Sequence, residues 1–511
     1  MSLSRLGLFL AILTAGLGMP SGLPGVRAQE RQISLDEEIK QVEQQVDRIE
    51  DDTLAVIPSL SAGSPQRLVT LGKLLFYDKA LSVNRNEACA FCHMPQTGFQ
   101  GAIESLNRGG IAQPGSVRTR FSMRKPPSAA YAAFSPPLFY TDKPGEGKCT
   151  HCFIGGNFWD LRATGLRLQN PTAMQAEGSP LNPLEMANPD AACVIRRMSQ
   201  RPYKELFESV WGWRTLDLAW PDDVDEVCNK PNGDPASAIG SEVPGPDTAP
   251  LVVNLSPRDR ARVQLTFDQM AQSIAAYEAS PEVSPFSSKF DAYLAGTAEL
   301  TEAEHRGYDL FNGQAKCLNC HVDPKGEQHP LFTDNTTANL GIPRNSDLAF
   351  YQETQPDAFG YVVNPQGQAA VDKGAGNFLR SPENANPVWK ELAPTFDGRF
   401  RVVTLRNVDQ RPRPDFVKAY MHNGYFKSLK EVVHFYNTRD ILPRCEAKSP
   451  AEKVSCWPAP EVPININTNC CNLGLSDSQE DDLVAFLNTL TDGYAPPRGS
   501  GTSSSTQPAG R

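Results

Sequence analysis

Two short runs place cysteine and histidine at a spacing with a definite chemistry. Cys89-Ala90-Phe91-Cys92-His93 and Cys317-Leu318-Asn319-Cys320-His321 both read C-x-x-C-H. Two thiols three positions apart reach the two vinyl groups on one edge of a haem and form thioethers. The histidine that follows then lies under the iron and supplies its fifth ligand. With 12 cysteines and 7 histidines in 511 residues, chance predicts only about 0.004 such runs. No second C-x-x-C stands where it would complete a zinc ribbon, and no βαβ pattern surrounds either run to suggest a redox dithiol. The runs therefore predict two covalently bound haem c groups.

A third pair, Cys149-Thr150-His151-Cys152, precedes Phe153 rather than a histidine. It reads as a disulfide or local staple, with a third haem as the alternative. The other cysteines are Cys193, Cys228, Cys445, Cys456, Cys470 and Cys471. With Cys149 and Cys152 they make an even set that suits disulfides in an exported protein, with pairing left open. Export is predicted by residues 1–28, where Arg5, the apolar stretch Leu6–Leu17 and Val26-Arg27-Ala28 form a signal peptide. The mature chain then begins near Gln29 and, in a bacterium, is periplasmic. No later stretch is long enough to span a membrane. A net charge of −10 argues against nucleic acid or anionic lipid as the main partner.

The elements that must position these groups are mostly helical. Capping signatures at Ser34–Glu37, Thr301–Glu304 and Ser476–Gln479 open three helices, and a fourth is expected over Arg262–Ala279. Strand-like alternation is scarce. Pro221–Leu251 and Pro356–Pro394 read as loops, and the tail 496–511 as disordered. The class is mainly α with long loops. A weak repeat, Gly72-x-x-Leu75-Phe76 and Gly307-x-x-Leu310-Phe311, precedes each C-x-x-C-H run and suggests one similar unit per half.

Further motifs give these units a likeness. Leu71–Ser82, Asn157-Phe-Trp-Asp-Leu-Arg-Ala163, Gln175 and Asn182-Pro-Leu-Glu-Met186 occur in the first half. Leu300–Glu304, Phe332-Thr-Asp334, Gly341-Ile-Pro343, Thr404–Val408, Tyr420–Gly424 and Leu429–Asn437 follow in the second. In this order they resemble the bacterial di-haem cytochrome c peroxidases, which include the MauG-like proteins. The resemblance runs from about Leu68 to Leu490. It implies two cytochrome c-like haem domains with long loops and insertions. Residues 29–298 would form the N-terminal, peroxide-reactive domain and 299–495 the C-terminal, electron-transfer domain. His93 and His321 become iron ligands, Trp159 lies between the haems, and Glu185 moves the peroxide proton with Gln175 as its hydrogen-bonding neighbour. The second haem's far ligand falls on Tyr436, with Met421, His422 and His434 as competitors; His422 reads rather as an anchor for a propionate or the backbone. A phenolate there would lower the potential.

Some positions depart from the pattern. No histidine lies between Met94 and Thr150, so the first haem should be open; Met123 is the other residue in that loop able to ligate. Leu161 stands where a glycine is usual. Lys125 replaces an asparagine that is commonly a calcium ligand, and Asp409–Lys418 replaces a shorter stretch. These changes weigh against an inter-domain calcium. Tyr140–Gly156 and Asn188–Arg258 look enlarged. The implied activity is reduction of hydrogen peroxide at the N-terminal haem, with electrons from a small cytochrome or cupredoxin relayed through the C-terminal haem. The alternatives are a MauG-like oxidation of a protein substrate and plain electron transfer.

Overall fold

A computed structural model describes residues 34–110, 113–143, 149–233, 251–322 and 329–496. The expected signal peptide and all but the first residue of the expected tail lie outside them. The described chain is mainly helical, with two-residue and three-residue strands paired in two small antiparallel ladders. Three helices start on the side chains expected of them. Ser34, Thr301 and Ser476 complete capping boxes for α1 (Leu35–Val56), α5 (Glu302–Asn312) and α7 (Asp477–Asn488). Ser256 caps α4 (Pro257–Glu278), which begins five residues before the predicted start because Pro257 fits the first helical turn. Among the described residues, the segments read as loops hold three short α-helices: Val224–Cys228, Ala375–Arg380 and Pro387–Leu392. Composition hid them, because Asn386 and Pro387 read as loop residues but here cap and start a helix.

The repeat corresponds to two helix pairs. Gly72 lies in α2 (Pro65–Tyr77), packed on α4; Gly307 lies in α5, packed on α7. A Cβ on Gly72 would stand 1.9 Å from the Ser273 carbonyl oxygen, and one on Gly307 would stand 1.9 Å from that of Asp482. Each glycine thus lets two backbones touch, and the next close neighbour is Tyr277 in the first pair and Phe486 in the second. Around the first pair a core gathers Leu75, Phe76, Ile195, Phe207, Phe267 and Ile274. Around the second another gathers Phe290, Phe311, Phe332, Phe426, Trp457 and Phe486.

Four disulfides join Cys149–Cys152, Cys193–Cys228, Cys445–Cys456 and the adjacent Cys470–Cys471. The first sits at the start of β2 (Cys152–Ile154), which pairs with β1 (Phe139–Thr141) so that Thr141 lies opposite Cys152. The local staple expected for this pair is what forms.

Either glycine replaced by alanine tests the packing. Helix propensity alone would favour alanine by about 1 kcal/mol, but the overlap with a backbone carbonyl forces the helices apart at a cost of about 1–3 kcal/mol. Gly72→Ala and Gly307→Ala should therefore each lower the melting temperature, read by circular dichroism.

Candidate haem and peroxide site

Each C-x-x-C-H run folds as one tight turn, Cys89–Cys92 in the first half and Cys317–Asn319 in the second. The turn carries its histidine to a fixed partner. His93 Nδ1 lies 3.0 Å from the Phe99 carbonyl oxygen, and His321 Nδ1 lies 2.9 Å from that of Phe332. Each imidazole is thereby oriented, and Nε2 is left for a ligand bond. Burial lowers both histidines, His93 to about 4, so both are neutral and able to ligate. Cys89, Cys92, Cys317 and Cys320 are the cysteines outside the four disulfides.

Both runs face cavities. The larger, about 270 Å³, holds Cys317, Cys320, His321 and Tyr436; the smaller, about 90 Å³, holds Cys92, His93, Gln175 and Glu185. Trp159, Lys125 and Arg401 line both. The fit to a haem rests on more than the thiols. Buried Arg401 Nε and His422 Nε2 in the large cavity, and Gln113 Nε2 in the small one, have no hydrogen-bond partner among the described residues. Polar atoms left this way at an apolar cavity suit a cofactor with a large ring and carboxylate arms.

In the small cavity, α3 (Pro171–Leu181) carries Gln175, whose amide donates to Ser179 Oγ at 3.3 Å. Asn182, at the end of α3, donates to Glu185 Oε1 at 2.8 Å, and Ser116 N–H donates to the Glu185 carbonyl at 2.6 Å. The two residues expected to handle peroxide are thus brought together. His93 is the one imidazole among the described residues lining this cavity. Met123 points elsewhere, packed with Leu348, Phe350 and Tyr351.

The large cavity sorts the competing ligands. Tyr436 lies on α6 (Leu429–Thr438) with Leu429, Val432 and Val433, all on the cavity-lining face. Burial, with Cys320 and Cys317 beside it, pushes its phenol up. Met421 and His422 also line the cavity, whereas His434 faces away and is held by Glu480 at 3.0 Å. His422 stacks on Phe400 at 3.5 Å, and its carbonyl accepts from Lys125 N–H at 2.7 Å.

Trp159 stands between the cavities. Its indole N–H donates to the Lys125 carbonyl at 2.7 Å, and its ring centre lies 6.3 Å from that of His422. Asp160, next in sequence, accepts from Arg124 at 2.6 Å; the same guanidinium holds Asp372 through two bonds of 2.7 Å. Arg162 also reaches Asp160, at 3.0 Å. Burial would raise the Asp160 carboxyl, but Arg162 and Arg124 outweigh it and hold the group at about 2.

The position usual for glycine is explained too. Leu161 has φ +71°, a left-handed conformation that costs a leucine about 1–2 kcal/mol. Its side chain is fully buried with Leu138, Phe153 and Phe378, burial worth about 2–3 kcal/mol, so packing offsets the strain. Lys125 is buried, with its ammonium donating to Gln100 and to the Pro126 carbonyl at 3.2 Å. Burial pushes the Lys125 amine down to about 7. Sequence reasoning missed Arg124, Arg401 and Gln113; Arg124 holds Asp160 and Asp372, Arg401 reaches Asn335, and no local pattern marks any of the three.

Two such motifs facing cavities with a shared tryptophan wall define the di-haem cytochrome class. Residues 66–299 match the family model described as di-haem cytochrome c peroxidase. The methylamine utilization protein MauG of Paracoccus denitrificans is 33% identical over 431 residues, covering 83% of this chain and 88% of its own. The cytochrome-c peroxidase IdrP1 of Denitromonas iodatirespirans is 25% identical over 83% of this chain and 81% of its own. The diheme peroxidase BthA of Burkholderia thailandensis superposes with a TM-score of 0.58 at 26% identity, covering 84% of this chain and 89% of that one. The chain belongs to the family of di-haem cytochrome c peroxidases and MauG-like proteins. It is a haem oxidoreductase of the kind that uses peroxide. No helix among the described residues is long and apolar enough to cross a membrane.

Asp160 sets an acid limit. Its carboxyl is held low in the folded state, so the stability it adds is present above the ordinary carboxylate pKa and is lost as pH falls towards about 2. Asp160→Asn should cost about 3 kcal/mol at neutral pH and flatten the loss of stability below about pH 4. Urea unfolding across pH reads both.

Proposed function

We propose that this chain is an exported di-haem c-type peroxidase, with the N-terminal haem open to hydrogen peroxide and the C-terminal haem relaying electrons from a small cytochrome or cupredoxin. The observation that carries this reading is the placing of Gln175 and Glu185 in one cavity with His93, joined through Trp159 to the cavity of His321. Cys89 and Cys92 would tether the first haem, and Cys317 and Cys320 the second. His93 and His321 would be the fifth ligands and Tyr436 the sixth ligand of the second haem. When bound, the haems supply irons that exchange electrons, the first with peroxide and the second with the donor.

The chain's own residues manage protons and orientation. Glu185, its Oε1 steadied by Asn182, takes the proton from one peroxide oxygen and returns it to the other, which leaves as water. Gln175 offers a hydrogen bond beside it. Trp159, its N–H fixed on the Lys125 carbonyl, keeps its ring against both cavities.

A second reading is favoured by a specific pair of observations. No histidine other than His93 lines the small cavity among its described residues, and the phenol of Tyr436 lines the large one. Both suit a MauG-like enzyme, in which peroxide drives oxidation of residues on a partner protein and Trp159 carries the charge. The relative named MauG supports this reading as well.

Rapid mixing with peroxide distinguishes the two. As a peroxidase, the holoprotein should turn over at once with a reduced cytochrome; as a MauG-like enzyme, it should hold a long-lived oxidised state. Glu185→Gln should slow the reaction with peroxide by about 10²–10⁴-fold, and an unchanged rate would remove Glu185 from the mechanism. A pyridine haemochrome assay should count two haems, and one in Cys317→Ala/Cys320→Ala.

A further inference from the structure

The two helix pairs are alike in backbone but not in chemistry. Phe76 and Phe311 occupy equivalent places, four residues after Gly72 and Gly307. Against Gly72 packs Tyr277, and against Gly307 packs Phe486. One position further, Tyr77 stands where the second unit has Asn312. The first unit thus carries two phenols where the second carries none.

These phenols lie on a route out from the first histidine. The rings of His93 and Phe76 are 6.4 Å apart between centres, Phe76 and Tyr277 are 5.4 Å apart, and Tyr77 and Tyr277 are 6.3 Å apart. Tyr77 and Tyr277 are almost wholly buried and meet edge to face. The Tyr277 hydroxyl donates to Glu282 Oε1 at 3.1 Å; Glu282 is half exposed and paired with Lys73 at 2.7 Å. A phenol loses an electron readily only if its proton can leave at the same time, and here a carboxylate in contact with water waits at the right atom. Burial pushes Tyr77 up to about 12 and Tyr277 higher still, so both are neutral phenols before any electron is lost.

We propose that Tyr277, with Tyr77, is a one-electron oxidation site that drains oxidising equivalents from the first haem. The proposal rests on that haem being the one that reacts with peroxide. One electron passes from the Tyr277 phenol, by way of Phe76 and His93, to the peroxide-oxidised haem, which is reduced by one equivalent. The Tyr277 O–H bond breaks, an O–H bond forms on Glu282 Oε1, and a neutral tyrosyl radical remains. Tyr77 can then pass its own hydrogen atom to Tyr277 and move the radical one ring onward.

The test is freeze-quench electron paramagnetic resonance of the holoenzyme mixed with hydrogen peroxide and no electron donor. A radical signal is expected that narrows when tyrosine is ring-deuterated and is lost in Tyr277→Phe. The haem spectrum of that variant should still respond to peroxide. Glu282→Gln, altered at a half-exposed position, should delay the signal; this variant decides the matter if Tyr277→Phe does not assemble. An undiminished signal in Tyr277→Phe, or no delay in Glu282→Gln, overturns the proposal. A haem that peroxide oxidises without any tyrosyl signal overturns it alone, whereas a haem that peroxide leaves unchanged overturns the proposed function as well.

Discussion

The Arg124 guanidinium, buried between Asp160 and Asp372, is the interaction on which the rest depends. Its partners lie 36 and 248 residues away in the chain, so it ties the first half to the second at the point where the two cavities meet. Burying such charges is costly, and the cost is met only if each is paired and hydrogen-bonded. Here one cation meets two carboxylates, and Arg162 supplies further positive charge on Asp160. The arrangement fixes the residue beside Trp159 and therefore the indole itself. If it were loosened, the tryptophan would still be held by the Lys125 carbonyl on its indole and by the Arg401 N–H on its own carbonyl. Lys125 is in turn tied to His422 through its own N–H. Orientation of the shared wall is thus a property of both halves together.

Chemistry confined to a few neighbouring residues was legible in the sequence. The two C-x-x-C-H runs, the capping boxes and the repeat before each haem motif are local patterns, and the structure places each where its pattern implies. The likeness carried Gln175, Glu185 and Tyr436 to cavity walls. What could not be read depends on contacts between distant segments. Nothing near Gly72 announces that the Ser273 carbonyl will press against it, and nothing near Arg401 announces an unpaired nitrogen at a cavity. Pairing among Cys193, Cys228, Cys445, Cys456, Cys470 and Cys471 is of the same kind. The loop reading failed at Asn386-Pro387 for a different reason, because the residues that break helices also begin them.

Leu161 shows how a position can leave its family's usual residue without leaving its conformation. The backbone turn after Trp159-Asp160 demands a left-handed residue, and glycine would adopt it freely. Leucine adopts it because the apolar cluster around Phe153 and Phe378 takes up its side chain. The enlarged segment that includes β2 supplies Phe153, so one departure accommodates the other.

The sorting of the cysteines bears on how the protein is made. Eight are joined in disulfides and four are not. Eight cysteines can pair in on the order of a hundred ways, and any bond that captured Cys89, Cys92, Cys317 or Cys320 would block one of the proposed haem attachments. Cys149 and Cys152 share the spacing of the haem pairs, so spacing alone cannot direct the assembly enzymes. The fourth residue after Cys149 is Phe153, buried in a strand, where the other runs offer a histidine. If the four thiols tether haems as proposed, maturation has to keep one kind of C-x-x-C reduced while oxidising the other, and that single following residue is the mark that tells them apart.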